Sequence, residues 1–188
     1  AAAIPSPILR PAMAGQATAR RARRAKDSRR GCATIRSVAL SVYLAGEIHT
    51  DWRDRIAAGA HAAGLDVEFS APVTDHAASD ECGVAILGPE PDRVWKDAKG
   101  AGLNAIRTRT LLRGADVVVV RFDQEYRQWN AAFDAGFAAA LGTPLIVLHP
   151  PELGHALKEV DRAALAVCAE PEQVVAALRY VLTGAVPG

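Results

Sequence analysis

The sequence has little of what several protein classes require. Its three cysteines, Cys32, Cys82 and Cys168, are odd in number, widely spaced and without a C-x-x-C pair. That argues against a disulfide framework and against a zinc module. No run of about 18 apolar residues occurs, so a membrane-spanning helix is not expected. Neither G-x-G-x-x-G nor a Walker A loop is present, so ordinary dinucleotide and P-loop sites have no support. The five histidines show no metal-ligand spacing, and neither a metal nor another cofactor is expected. Aromatic residues are only 5% of the chain. What is present is apolar content: half the residues, enough to fold.

The net charge of +1 hides a split. Residues 1–36 carry nine basic residues and one acid, Asp27, and the rest of the chain has 13 basic and 20 acidic residues. A +8 segment thus precedes a −7 body. The segment is rich in Ala and Arg, contains Ser and Thr and lacks an apolar period, so it reads as a disordered basic tail. Three readings fit it. It is Arg-rich and acid-poor like an organelle transit peptide, for a chloroplast or a mitochondrion. The chain opens on Ala1 and its sole methionine is Met13, which fits an inert extension. The R-A-R-R cluster fits a nucleic-acid arm, a reading weakened by the lack of any aromatic residue to stack on bases. Without a transit peptide the expected location is cytoplasmic.

Residues 37–188 read as one α/β domain. Strands are expected at 38–45, 66–70, 116–122, 144–148 and 164–169, the first as a continuous apolar run rich in β-branched residues and buried on both faces, the second short and the third the clearest. Helices are expected from Asp51 to Gly64, Asn104 to Arg113, Asn130 to Leu141 and Pro171 to Thr183. Residues 71–100, with their prolines, glycines and charges, read as a long loop, a feature often functional. Alternating strands and helices imply right-handed crossovers and a five-stranded, parallel, doubly wound, flavodoxin-like sheet. Ligands then sit beyond the carboxyl ends of the strands, in 45–51, 70–76 and 123–134.

In the first stretch Gly46 permits close approach of a ligand, and Glu47 and His49 add ionisable groups. Thr50 and Asp51 also suit a plain helix cap. In the third, Asn130 reads as an N-cap, with Asp134 one turn on and held ionised by the helix dipole. A carboxylate there suits a nucleophile or an electrostatic stabiliser. Gly136, costly in a helix interior, suggests close packing. Of the charges at 96–109, Arg107 offers a fork for a phosphate or carboxylate, while such a pattern also suits a solvated face.

The segments YLAGEIHTDWR, LNAIRT and ADVVVVRFDQEYRQWNAAFDAGFAAALGTPLIVL resemble the YtoQ family of small proteins over about 37–182. That family is similar in turn to the nucleoside 2-deoxyribosyltransferase superfamily, marked by Tyr-x-x-Gly after a strand and by a later E-x-G-x-A helix before G-K-P. The matching residues are Tyr43 and Gly46, then Asp134 to Ala138, then Gly142-Thr143-Pro144. The resemblance implies the same five-stranded fold and N-glycosidic chemistry, with Asp134 as nucleophile, Asp97 or Asp123 as second acid and Tyr43 orienting the nucleophile or touching the sugar. Trp129 would stack on a base or belong to the core. Three departures stand out: Asp replaces the family Glu, Gln128-Trp129-Asn130 replaces an Asp-Gly-Thr-like loop, and Glu47 and His49 are additional.

The expected activity is hydrolysis or transfer at the N-glycosidic bond of a nucleoside or nucleotide, with a small molecule as partner. The alternative is a non-catalytic nucleotide- or metabolite-binding module of the same fold. By the same resemblance, a homo-oligomer is the candidate assembly. The acidity of the body argues against nucleic acid as its ligand.

Overall fold

The computed structural model describes residues 39–125 and 128–186. The tail readings for 1–36 lie outside the described residues. The body has five strands, β1 (Leu40–Gly46), β2 (Val67–Ser70), β3 (Val117–Arg121), β4 (Leu145–Leu148) and β5 (Ala166–Cys168). All pair in parallel, in the order β2-β1-β3-β4-β5. This is the flavodoxin-like order, whose switch point lies between β1 and β3. Six α-helices connect them: α1 (Trp52–Ala62), α2 (His76–Leu87), α3 (Arg93–Gly114), α4 (Trp129–Ala140), α5 (Lys158–Ala163) and α6 (Pro171–Thr183). No described helix is long and apolar enough to cross a membrane.

The central strands β1, β3 and β4 are buried almost throughout because each face meets helices, whereas the edge strands β2 and β5 expose Glu68 and Val167. On one face Val42, Leu44, Val119 and Leu148 pack with Trp52 and Ile56 of α1 and Val174 and Leu178 of α6. On the other, Tyr43, Ala45, Val118 and Val120 pack with Leu112 of α3 and Ala131, Ala135 and Ala138 of α4. The three alanines follow helical spacing, and their small side chains bring α4 close to the sheet. Asp134, next to Ala135, is thereby held beside β1.

Residues 71–100 are not a loop. They form α2 and the first part of α3, which starts at Arg93 rather than near Asn104. Asp75 caps α2 by accepting from the Ala78 N–H at 2.7 Å. Asp92 caps α3 by accepting from the Val94 and Trp95 N–H groups at 2.8 and 3.3 Å. The two helices cross at Gly83 and Gly100, where a Cβ on Gly83 would lie 2.3 Å from the Gly100 nitrogen. The Asn104 side chain ties them by donating to the Ser79 carbonyl and hydroxyl at 3.1 and 3.0 Å.

Two expectations for α4 change. Its N-cap is Gln128 rather than Asn130, with no side-chain capping bond. Gly136 is exposed and a Cβ there would meet nothing within 4 Å, so no described group packs closely against it. The two glycine positions predict opposite results in urea denaturation. Gly83→Ala costs about 1–3 kcal/mol by overpacking, whereas Gly136→Ala gains up to about 1 kcal/mol by helix propensity.

Candidate functional site

The carboxyl ends of β1 and β3 meet under a tight steric constraint. Gly46 has φ +115°, and a Cβ on it would lie 2.2 Å from the Arg121 carbonyl oxygen. Only glycine fits there. Beyond it the chain turns into α1, and the turn is built around the Glu47 carboxylate. That group is buried and accepts from the His49 N–H at 2.7 Å, the Thr50 N–H at 3.1 Å and the Thr50 hydroxyl. Arg121 Nε stands 3.5 Å away. Arg53 stacks on the Trp52 ring and donates to the Leu44, Glu47 and Gly46 carbonyls at 3.1, 2.6 and 3.1 Å. Burial pulls the Arg53 guanidinium down to about 10, and the Glu47 charge opposes that pull. The group stays charged at neutral pH and clamps the end of β1.

On the α3/α4 side of this switch point lies a cleft of about 640 Å³, bounded by Gly46, α2, α3 and α4. Asp134 reaches it from α4 and Thr108 from α3, with Tyr43 fully buried in β1 behind them. The Tyr43 hydroxyl is buried, and the Thr108 side chain is its polar neighbour, although among the described residues no group meets it in good hydrogen-bond geometry. Burial raises its pKa and the negative charge of Asp134 adds to the rise, while the Thr108 side chain, Arg53 and Arg107 oppose it. Thr108, Asp134 and Arg107 of these line the cleft, while Arg53 lies outside its lining.

Asp134 is partly buried, and desolvation alone pushes its carboxyl from 3.8 up to about 6. The expectation that the helix dipole holds it ionised therefore fails. Asp134 is the sixth residue of α4, beyond the first turn in which the dipole acts. Among the described residues no hydrogen bond or ion pair offsets its burial. The other acids of the cleft are engaged: Asp80 is 3.1 Å from His76 and Asp97 is 3.9 Å from Arg93.

Of the site residues expected from sequence, Gly46, Asp97, Arg107, Asn130 and Asp134 line the cleft, and Tyr43 lies behind it. Asp97 is exposed, well out on α3. Glu47 points into the turn. His49 is exposed in that turn, and neither residue lines the cleft. Asp123 accepts from Arg121 at 3.0 Å and its N–H donates to the Gln128 side chain at 2.9 Å, also outside the cleft lining. Trp129 is 73% exposed at the start of α4, so it is neither core nor cleft wall. Phe133, one turn on, is the exposed aromatic that does line the cleft. Sequence reasoning missed Phe133, Thr108 and the His76–Asp80 pair. The i,i+4 spacing of that pair is visible only once Asp75 is read as the cap of α2. Among the described residues no group of three or more His, Cys, Asp or Glu side chains could hold a metal ion.

Residues 43–182 match the family described as nucleoside 2-deoxyribosyltransferase YtoQ. The chain belongs to that family. A curated relative, the uncharacterized protein YtoQ of Bacillus subtilis (strain 168), is 41% identical over 140 residues, covering 74% of this chain and 95% of its own length. A solved structure, a conserved protein from Enterococcus faecalis V583, is similar with a TM-score of 0.53 at 13% identity, covering 76% of this chain and 99% of its own. That likeness bears on the fold alone. The matched region contains both the Tyr43–Gly46 strand end and Asp134.

The burial of Asp134 has a consequence for stability. Its folded pKa lies above its unfolded one, so the folded state pays for the buried charge in full above about pH 6. The penalty shrinks as pH falls and is gone below the ordinary value of 3.8. Asp134→Asn therefore unfolds at a higher temperature than the natural chain at pH 7–8. The two melting temperatures converge in scans taken below about pH 4.

Proposed function

We propose that the chain cleaves or transfers the N-glycosidic bond of a nucleoside or nucleotide, with Asp134 as the nucleophile. The observation that carries this reading is the state of Asp134: partly buried in a cleft at the switch point, beside Tyr43, and the one cleft acid without a basic side chain within 4 Å among the described residues. A carboxylate that binding has not already neutralised keeps its charge for an electron-poor centre that develops during reaction. C1′ of a nucleoside becomes such a centre as the bond to the base lengthens.

The reaction runs in two displacements. An Asp134 oxygen bonds to C1′ while the C1′–N bond breaks, and its electron pair leaves with the base, which takes up a proton. Water or a second base then attacks C1′, gives up a proton and frees the carboxylate. The configuration at C1′ is retained, as in glycosidases that use a carboxylate nucleophile. In this reading Tyr43 turns its hydroxyl to Asp134 or to the sugar. Gly46 forms part of the cleft wall beside the sugar, and Asn130 offers its amide to a sugar hydroxyl. Phe133 supplies an apolar face for the base. The proton for the base comes from the cleft wall, where Asp97 and the His76–Asp80 pair stand. Asp123, paired with Arg121, lies outside that wall.

One observation favours a second reading, a nucleotide-binding module without turnover. Asp80 and Asp97 each have a basic side-chain neighbour, His76 at 3.1 Å and Arg93 at 3.9 Å, so the cleft holds no second acid without such a neighbour among its described residues. The two readings differ in base release from a panel of deoxynucleosides and their 5′-monophosphates, followed by chromatography. The enzyme reading predicts release of free base, lowered at least about a thousandfold in Asp134→Ala. Because the nucleophile must be ionised, kcat/KM falls as pH drops below about 6. Binding with no release from any member of the panel establishes the module instead.

A further inference from the structure

Three arginines, Arg93, Arg107 and Arg109, and three aspartates, Asp80, Asp97 and Asp134, line the cleft. Arg93 lies 3.9 Å from Asp97, and His76 lies 3.1 Å from Asp80. Among the described residues neither Arg107 nor Arg109 meets a carboxylate. The cleft thus presents two guanidinium groups without an acidic partner, in a body with 20 acids for 13 bases, and a neutral nucleoside makes no use of them.

The two arginines differ. Arg109 faces the Phe137 ring, 6.0 Å from its centre. Arg107 stands at the carboxyl end of β2, where one Nη donates to the Ala71 carbonyl at 3.2 Å. That bond holds the guanidinium in place and uses one of its five N–H groups, leaving the others for an acceptor. A fixed, planar fork with an unspent charge matches the oxygens of a phosphate.

We propose that the cleft takes a phosphorylated substrate, a nucleoside 5′-monophosphate, and that Arg107 binds its phosphate. The proposal rests on the reading of this cleft as a nucleoside site. The phosphate lies on the β2 side of the cleft, and the sugar extends from it toward Asp134.

Calorimetry on the full chain carrying Asp134→Asn, which leaves the ligand intact, tests this with deoxynucleoside 5′-monophosphates and the matching nucleosides at a fixed salt concentration. The monophosphate binds at least about tenfold tighter than the nucleoside, as one charge-assisted phosphate contact provides. Adding Arg107→Gln reduces that preference below about threefold and leaves nucleoside affinity within about twofold. Arg107→Lys keeps part of it, because the charge remains while the fork is lost. Equal binding of the two ligands, no binding of either, or a preference that survives Arg107→Gln overturns the proposal. Base release by the natural chain on the same ligands separates the two ideas. A phosphate preference without release keeps Arg107 and ends the nucleophile reading; release without a phosphate preference does the reverse.

Discussion

The contact between Gly46 and the backbone of Arg121 governs the rest of the site. Two parallel strands approach so closely at their carboxyl ends that no side chain fits between them. The chain must therefore leave β1 with a positive φ, and the turn that follows is closed by Glu47 from within and by Arg53 from outside. Three residues before that glycine, Tyr43 is fixed on the face that α3 and α4 cover. The alanine stripe of α4 then sets the distance between Asp134 and the sheet. Backbone sterics at the switch point and small side chains on one helix thus bring a phenol and a carboxylate together without any bond between them being needed.

How much of this could be read beforehand follows from which elements touch the sheet. The central strands were legible because both faces are buried, which makes them nearly unbroken apolar runs. α1, α4 and α6 were legible because each presents an apolar stripe to the core. α2 gives no such signal: its one buried residue is Gly83, because it packs on α3 rather than on the sheet. Its apolar residues Ile86 and Leu87 are exposed, so no helical period toward a core exists to be found. The first half of α3 shares this property, which hid Asp97 and Arg93 as helix neighbours. In the site, Gly46, Asn130 and Asp134 followed from the rule that ligands gather at strand ends. Glu47 and Asp123 satisfy the same rule yet point elsewhere, since the rule selects a stretch of chain and not the direction of each side chain.

The electrostatics divide by location. The acidic body as a whole has no attraction for a polyanion, yet its cleft keeps two arginines clear of carboxylates. A small ligand meets those two charges only inside the cleft. Asp134 is kept apart from cations and bears the cost of its burial unrelieved, an arrangement that natural chains retain at places where a charge is put to use.

The claim at the centre of this account is that Asp134 forms a covalent bond to the sugar. Incubation of the full chain with a 2′-fluorinated arabinosyl nucleotide, whose fluorine slows the second displacement more than the first, followed by intact and peptide mass spectrometry, tests it directly. The account predicts a chain heavier by one fluorinated sugar phosphate, with the added mass on the peptide containing Asp134 and absent in Asp134→Ala. Release of base with no adduct on the chain, or an adduct on another residue, would contradict it.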